Sequence, residues 1–298
     1  MDLRRLEAFV VLARELNFTR AARHLHVTQS TLSAAMKSLE SELGATLFAR
    51  STRSVALSDA GRALLPHARA TIDAMDAARS AVSATGELRG SLTVGMLSGL
   101  TVVDVPALVG RFHQRHPQVR LRLETPRRGT ADLVDEVVQG RVDVAFVGGR
   151  LVDPRLRAVP IRTYDLQVAV PADHPYAAKS SLTLDELANE AFVDMPDGYG
   201  QRTIIDVAFA YRALPRTVVA EVTDLRSIPG YVAHRLGIAL LPPEVVRDGG
   251  YPLRTIPVSD TDLSWTLSVV THAEHPSSRS LKAFLDLVPA HVRPERAF

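Results

Sequence analysis

Residues Thr19 to Glu40, TRAARHLHVTQSTLSAAMKSLE, constrain the chain most, because they read as two short helices joined by a tight turn. The first helix is expected to begin at Thr19, a hydroxyl residue suited to N-capping, and Ala21 and Ala22 let a neighbouring helix approach closely. After His26 and Val27, Thr28 can cap a second helix. On it Gln29, Ser33 and Lys37 recur every four residues, while Leu32, Met36 and Leu39 fall on the opposite side. A face bearing an amide, a hydroxyl and an ammonium can hydrogen-bond base edges and phosphates in a major groove. An ordinary amphipathic pair shows the same pattern, so the flanks decide.

Upstream, Leu3, Leu6, Phe9, Val10 and Ala13 mark a helix able to complete a three-helix core. Downstream, Gly44 stands where a left-handed helix cap is needed. Strand-like runs Thr46 to Ala49 and Ser54 to Leu57 then flank the polar tip Arg50-Ser51-Thr52-Arg53. That is a wing, placed to meet phosphates or a minor groove. Arg53 is the better DNA candidate; Arg50 is either a wing contact or a structural ion-pair partner.

The stretch LRRLEAFVVLARELNFTRAARHLHVTQSTLSAAMKSLESELGATLFAR followed by SVALSDAG resembles the opening of the LysR-type transcriptional regulators. The resemblance implies that Thr28, Gln29, Ser30, Thr31, Ser33 and Lys37 face double-stranded promoter DNA, with Arg50 and Arg53 on the wing. Members often carry arginine and glutamine after the serine matching Ser33; here Ala34 and Ala35 stand there. The departure removes long donors, so base preference is not copied from relatives.

The 298 residues suffice for several domains, and a composition of 46% hydrophobic and 23% charged residues is that of an ordinary globular protein. The net charge of +2 neither demands nor forbids nucleic acid. Residues 1–60 hold eight Lys or Arg against six Asp or Glu, so one copy is expected to bind weakly and with salt sensitivity. Without cysteine, disulfides, thiolate nucleophiles and cysteine-held metals are excluded. The opening MDLRRLEAF lacks an apolar leader core, and no run approaches the roughly 20 apolar residues that span a bilayer. The expectation is a cytoplasmic protein with no membrane partner.

From Asp59 to about Thr85 the chain is alanine-rich, with Ala60, Leu64, Ala68, Ile72, Met75, Ala78 and Val82 at helical spacing. This predicts one long helix whose stripe pairs with a second copy or packs on its own chain, self-association being favoured. Pro66 marks a kink or break, and Gly86 and Gly90 end the helix in a hinge. The expected division is a DNA-binding domain over 1–58, a linker helix and hinge over 59–89, and a two-lobed domain over 90–298. Lobe I takes about 90–163 and 268–298, and lobe II about 164–267.

Beyond the hinge, Ser91 to Met96, Val119 to Glu124 and Val142 to Val147 read as strands, with helices at Val105 to His116 and Thr130 to Gln139 between them. That β-α-β-α-β series predicts a doubly wound α/β sheet. A second series follows, with strands at Leu166 to Val170, Ala191 to Asp194, Thr217 to Val222 and Ile238 to Leu241. Its helices lie near Leu184 to Ala188, Thr203 to Arg212 and Ser227 to Arg235, and Thr266 to Thr271 with Ser278 to Leu287 return to the first lobe. The phrases GRFHQRHPQVRLRLET, LVDEVVQGRVDVAFVGG, EVTDLRSIPGYVAHRLGIALLPP and RSLKAFLDLV resemble the family's effector-binding domain, which is similar to periplasmic solute-binding proteins.

Open α/β sheets present ligands at the carboxyl ends of their strands. Ser98, Gly99 and Thr101 follow the first strand, and Gly129-Thr130 precedes the second helix; hydroxyls and amides there favour an anion. The resemblance places effector contacts at Ser98 and Thr130 and around Phe146 and Pro196. Ser98 and Thr130 are otherwise caps; Arg127 and Arg128 either neutralise a carboxylate or stay solvated. Tyr199, in the turn Asp197-Gly198-Tyr199-Gly200, either covers a ligand or packs.

His113 with His116, and His272 with His275, have metal-compatible spacing but no further ligands, and Asp194, Asp197 and Asp224 have no paired nucleophile. There is no G-x-x-x-x-G-K-S/T, G-x-G-x-x-G or G-x-S-x-G sequence. No enzyme chemistry, cofactor or metal is therefore expected. The resemblance implies a ligand-responsive regulator, dimeric through the linker helix and tetrameric in assembly, whose output is altered contact with DNA or with RNA polymerase.

Overall fold

Short polar side chains start the first three helices. Asp2 accepts the Arg5 N–H and opens α1, Leu3–Glu15; Asn17 accepts the Arg20 N–H and opens α2, Phe18–His24; Thr28 accepts the Thr31 N–H and opens α3, Gln29–Leu43. The cap of α2 is thus Asn17, not Thr19, whose hydroxyl instead donates to Oε1 of Gln29 at 3.1 Å. Gly44 ends α3 at φ 64°, where a Cβ would be strained. The computed structural model describes residues 1–50, 55–81, 87–126, 128–274 and 277–294.

The wing strands are β1, Phe48–Arg50, and β2, Val55–Leu57, paired antiparallel; its tip at 51–54, with Arg53, lies outside the described residues. Phe9, Leu12, Leu32, Met36 and Leu39 are fully or almost fully buried, and the Phe48 ring lies 5.6 Å from that of Phe9. Helix α4, Asp59–Ala81, continues through Pro66 without the expected break. Its Leu65 and Ala68 join the winged domain's core, and Leu64 and Ile72 pack at its margin. Part of the stripe expected to face a second copy therefore covers its own domain, because α1 supplies a matching apolar surface. Met75 stays exposed, while Gly86 lies outside the described residues.

The remaining chain runs β3 (Gly90–Met96), α5 (Val105–Arg115), β4 (Val119–Glu124), α6 (Gly129–Val138), β5 (Val144–Gly148) and β6 (Leu156–Asp165). It continues as β7 (Gln167–Pro171), α7 (Leu184–Leu187), β8 (Ala191–Asp194), α8 (Gly200–Tyr211), β9 (Thr217–Glu221), α9 (Ile228–Ala233) and β10 (Ala239–Leu241). Last come α10 (Pro243–Asp248), β11 (Leu253–Pro257), β12 (Ser264–His272) and α11 (Arg279–Leu285). Lobe I holds the sheet β4-β3-β5-β12-β6, in which β3 pairs parallel with β4 and β5. Strand β12 pairs antiparallel with β5 and, from Leu156↔His272 to Asp165↔Ser264, with β6. The Leu166 N–H to Leu263 carbonyl bond continues that pairing at the passage to lobe II.

Lobe II departs from a second parallel series: β7 lies between β10 and β11 and is antiparallel to both, while β8 and β9 are parallel. A bridge from Phe192 to Ile238 brings β8 beside β10. Strands β6 and β11 and helix α10 were not among the expected elements.

Linker helix and lobe I are joined by charge. Nη1 of Arg69 on α4 lies 2.8 Å from Oδ1 of Asp143, and its Nη2 donates to the Arg141 carbonyl. Asp143 also accepts the Thr93 N–H at 2.7 Å, so one carboxylate ties α4 to β3. Burial and the adjoining Asp143 push the nearby Asp73 carboxyl up to about 7. A raised acid favours the protonated form in the folded state, so its destabilising effect is absent below the ordinary carboxylate range, grows as pH rises toward about 7, and stays constant above. The Asp73→Asn variant is expected to melt at a higher temperature than the parent at about pH 8 and at the same temperature at about pH 4; thermal melts across that range check it.

Candidate nucleic-acid interface and inter-lobe cavity

Helix α3 buries Leu32, Met36 and Leu39 and leaves Gln29, Ser30, Thr31 and Lys37 exposed, with Ser33 half-buried among them. At its start the Thr28 hydroxyl oxygen lies 2.8 Å from both the Ser30 and Thr31 hydroxyls. The exposed face thus presents a knot of hydroxyls at the positive end of the helix dipole, with an amide and an ammonium beyond it. Arg50 closes β1 opposite Val55. These groups can receive phosphates and base edges; none has a nucleophile or base arranged for a reaction.

In the two-lobed domain, lobe I meets lobe II backbone to backbone. The Ala131 N–H donates to the Gly198 carbonyl at 3.0 Å, and a Cβ built on Gly200 would stand 1.8 Å from the Gly148 carbonyl oxygen. A Cβ on Gly129 would meet the Tyr199 ring at 2.6 Å, so that buried ring is seated on bare backbone. Behind this contact lies a small, partly open cavity between the lobes of about 40 Å³. Its wall combines the loop Leu97–Val102 after β3, Tyr164 and Trp265 from the crossing strands, and Met195, Tyr199–Gln201, Leu225, Pro242, Glu244 and Val245 from lobe II. A wider groove of about 490 Å³ shares Gly200 with it and contains Thr130 and Gly148–Arg150.

Ser98, Gly99, Thr101 and Tyr199 are therefore gathered in one wall. Thr130 is not: its hydroxyl donates to the Gly148 carbonyl at 2.9 Å and serves the lobe contact. Phe146 is fully buried in the core with Val144, because alternate residues of β5 face opposite layers and this one points to the apolar layer. Pro196 stands outside the cavity wall, its carbonyl accepting the Tyr199 N–H, and its neighbour Met195 takes the position. Arg127 lies outside the described residues; Arg128 is exposed, and its N–H is held by Asp132. Among the described residues no lysine or arginine lines the cavity.

Sequence reasoning missed Tyr164, Gln201, Glu244 and Trp265. Trp265, the single tryptophan, carried a signal of its own, whereas Glu244 lies in the unexpected helix α10. Asp194, once a candidate base, is ion-paired with Arg216; burial pushes its carboxyl up, opposed by that guanidinium. Arg202 of α8 donates to the Met195 carbonyl and pairs with Asp206, fixing the cavity floor. Among the described residues no three His, Asp or Glu side chains gather as a metal site, and no helix is long and apolar enough to cross a membrane.

Comparison with known proteins bears on both halves. A family model described as bacterial regulatory helix-turn-helix protein, lysR family, matches residues 3–62, and one described as LysR substrate binding domain matches residues 85–293. The HTH-type transcriptional regulator ShiR of Corynebacterium glutamicum is 39% identical over 67% of this chain and 68% of its own. The uncharacterized HTH-type transcriptional regulator YnfL of Escherichia coli is 30% identical over 96% of this chain and 98% of its own. Among solved structures, a full-length OxyR variant from Pseudomonas aeruginosa superposes with a TM-score of 0.71 at 29% identity, covering 97% of this chain and 94% of that one. The effector-binding domain of QuiR in complex with shikimate shares the fold, with a TM-score of 0.58 at 20% identity over 68% of this chain and 97% of that one.

The contact between Gly148 and Gly200 has no room for a side chain, so Gly200→Ala is expected to hold the lobes apart. Trp265 is the chain's single tryptophan and is buried in the cavity wall, so its emission reports the separation directly. The variant should show red-shifted fluorescence and stronger acrylamide quenching; an unchanged spectrum would mean the lobes close without this contact.

Proposed function

The chain belongs to the LysR family of transcriptional regulators, not to an enzyme family, and we propose that α3 enters the major groove of promoter DNA under control of a small molecule held between the lobes. The observation carrying this reading is the exposed polar face of α3, from Gln29 through Ser33 to Lys37, standing clear of a complete apolar core. Thr28, Ser30 and Thr31 take the phosphate-facing start of the helix, and Arg50 and Arg53 the wing. The protein is a DNA-binding regulator carrying an effector-binding domain; its working place is the cytoplasm, where promoter DNA is met.

A second copy covers the part of α4 left exposed around Met75, and the dimer reads the two halves of an interrupted inverted repeat. Paired effector domains complete a tetramer. The division runs at 58/59 and 89/90, with the lobes crossing at β6 and β12. Effector binding alters the lobe contact, and with it the presentation of the winged domains to DNA and RNA polymerase. An anionic effector would be received by neutral donors, the hydroxyls of Ser98 and Thr101, since among the described residues the cavity wall has no cationic side chain.

Gel shifts on the intergenic DNA upstream of the gene test the DNA face. Replacing Gln29 by alanine should weaken specific binding by about 1–3 kcal/mol, as loss of a base contact does. Replacing Lys37 by alanine should reduce the salt slope of binding by about 1 per copy. Parent-like binding and salt dependence in both variants would remove α3 from the interface.

A further inference from the structure

Thr19 lacks the role its place in the sequence suggests. Asn17 takes the N-cap of α2, so the Thr19 hydroxyl, in the first turn, is not needed by its own helix. It crosses to α3 instead and donates to Oε1 of Gln29 at 3.1 Å. Two features bring the helices near enough for so short a side chain. Ala21 and Ala22 are buried and let α2 lie close to α3; the turn between the helices, with His26 at φ 55° and the Val27 N–H on the Ala22 carbonyl, fixes their separation. Thr19 and Gln29 are both exposed. Their polar neighbours are engaged elsewhere: the hydroxyls of Thr28, Ser30 and Thr31 bond among themselves, and the Arg20 guanidinium turns back to the Glu15 carbonyl.

A glutamine amide has two unlike ends, an oxygen that accepts and an NH2 that donates. Where both face a base edge they pair with N6 and N7 of adenine. With Oε1 taken by Thr19, Nε2 is the end left for DNA, and an end that only donates suits acceptors. In the major groove guanine offers N7 and O6 and thymine offers O4 beside its methyl, whereas adenine sets an N6 donor next to N7 and cytosine shows a donor at N4. In open water the Thr19 bond contributes little, because water replaces it. In a groove emptied of water it keeps Oε1 from being left without a donor, a cost that a single-ended contact otherwise carries.

Resting on the reading of α3 as the helix that enters the groove, we propose that Thr19 is a positioning residue for base recognition: its hydroxyl holds Oε1 of Gln29 so that the amide reads guanine through Nε2 and discriminates against adenine. Thr19 thereby enters the sequence preference without touching a base. Loss of its hydroxyl frees the amide to pair with adenine as well, which widens the set of accepted sites.

Selection of duplexes from a random-sequence library by the full-length chain, followed by gel-shift titrations, tests this. The titrations compare the four bases, in both half-sites, at the position where Gln29→Ala erases discrimination. The parent should bind guanine there at least about tenfold more tightly than adenine. Thr19→Val keeps the branched shape and removes the hydroxyl; it should bring that ratio to about threefold or less through a gain on adenine, and Thr19→Ser should restore it. DNA-free melts check that Thr19→Val folds, and Thr19→Ala takes its place if it does not. A guanine-to-adenine ratio that Thr19→Val leaves unchanged, uniform weakening on all four bases included, overturns the role of Thr19 and leaves α3 in the groove. A parent preference for another base at that position overturns the assigned sense of the amide. If Gln29→Ala erases discrimination nowhere, the reading of Gln29 itself fails, and this proposal with it.

Discussion

The two-lobed domain depends on a place where side chains are missing. Gly148 and Gly149 of lobe I meet Gly200 of lobe II, and Arg128 and Ala131 of lobe I meet Gly198, with the backbones themselves in contact. The Ala131–Gly198 hydrogen bond and the Thr130 hydroxyl on Gly148 hold that contact in register. A single methyl group between them would separate the lobes, and the cavity behind would lose its closed wall. The seating of Tyr199 over Gly129 belongs to the same arrangement, because the turn that positions Gly198 and Gly200 also lays the ring down. Below it, Arg202 and Arg216 anchor α8 to the end of β8 through Asp194 and Asp206, so the turn sits on a stiff base.

Lobe I is the side that the linker helix grips. Asp143 receives Arg69 from α4 and the Thr93 amide from β3, and a further ion pair joins Arg122 of β4 to Glu15 of α1 at 3.5 Å. The winged domain therefore rides on the lobe whose glycines form the closing contact. A ligand that binds the closed cavity more tightly than the open one shifts the lobe equilibrium by that difference. Two charge pairs, Arg69 with Asp143 and Arg122 with Glu15, tie that lobe to the linker helix and to α1.

Where one physical signal acted alone, the sequence was legible. Thr28 and Gly44 were placed correctly at the ends of α3 because a cap and a left-handed residue each leave a local mark, and β4 and β8 have the bounds expected of them. Two competing caps two residues apart were not separable: Asn17 prevails over Thr19, with Phe18 packed toward Phe48 at 6.4 Å. Strand β6 contains Pro160, which in sequence argues against a strand; at the edge of the sheet it is tolerated. Phe146, placed near the effector by the resemblance, is core instead, and β5, buried on both faces, has no polar alternation to show which way its side chains point. Glu244 and Trp265, carried by separate elements, line one cavity wall only in the folded chain.

The hydroxyl knot at the start of α3 has a thermodynamic corollary. Thr28, Ser30 and Thr31 already bond one another, and Thr19 already occupies Oε1 of Gln29. A phosphate arriving there trades existing bonds for new ones, so the enthalpy of contact at this end is small. What remains to drive association is the release of counterions from DNA, an entropic gain that strengthens as salt is diluted. On the reading proposed for α3, such a helix is held by the solution around it as much as by a groove.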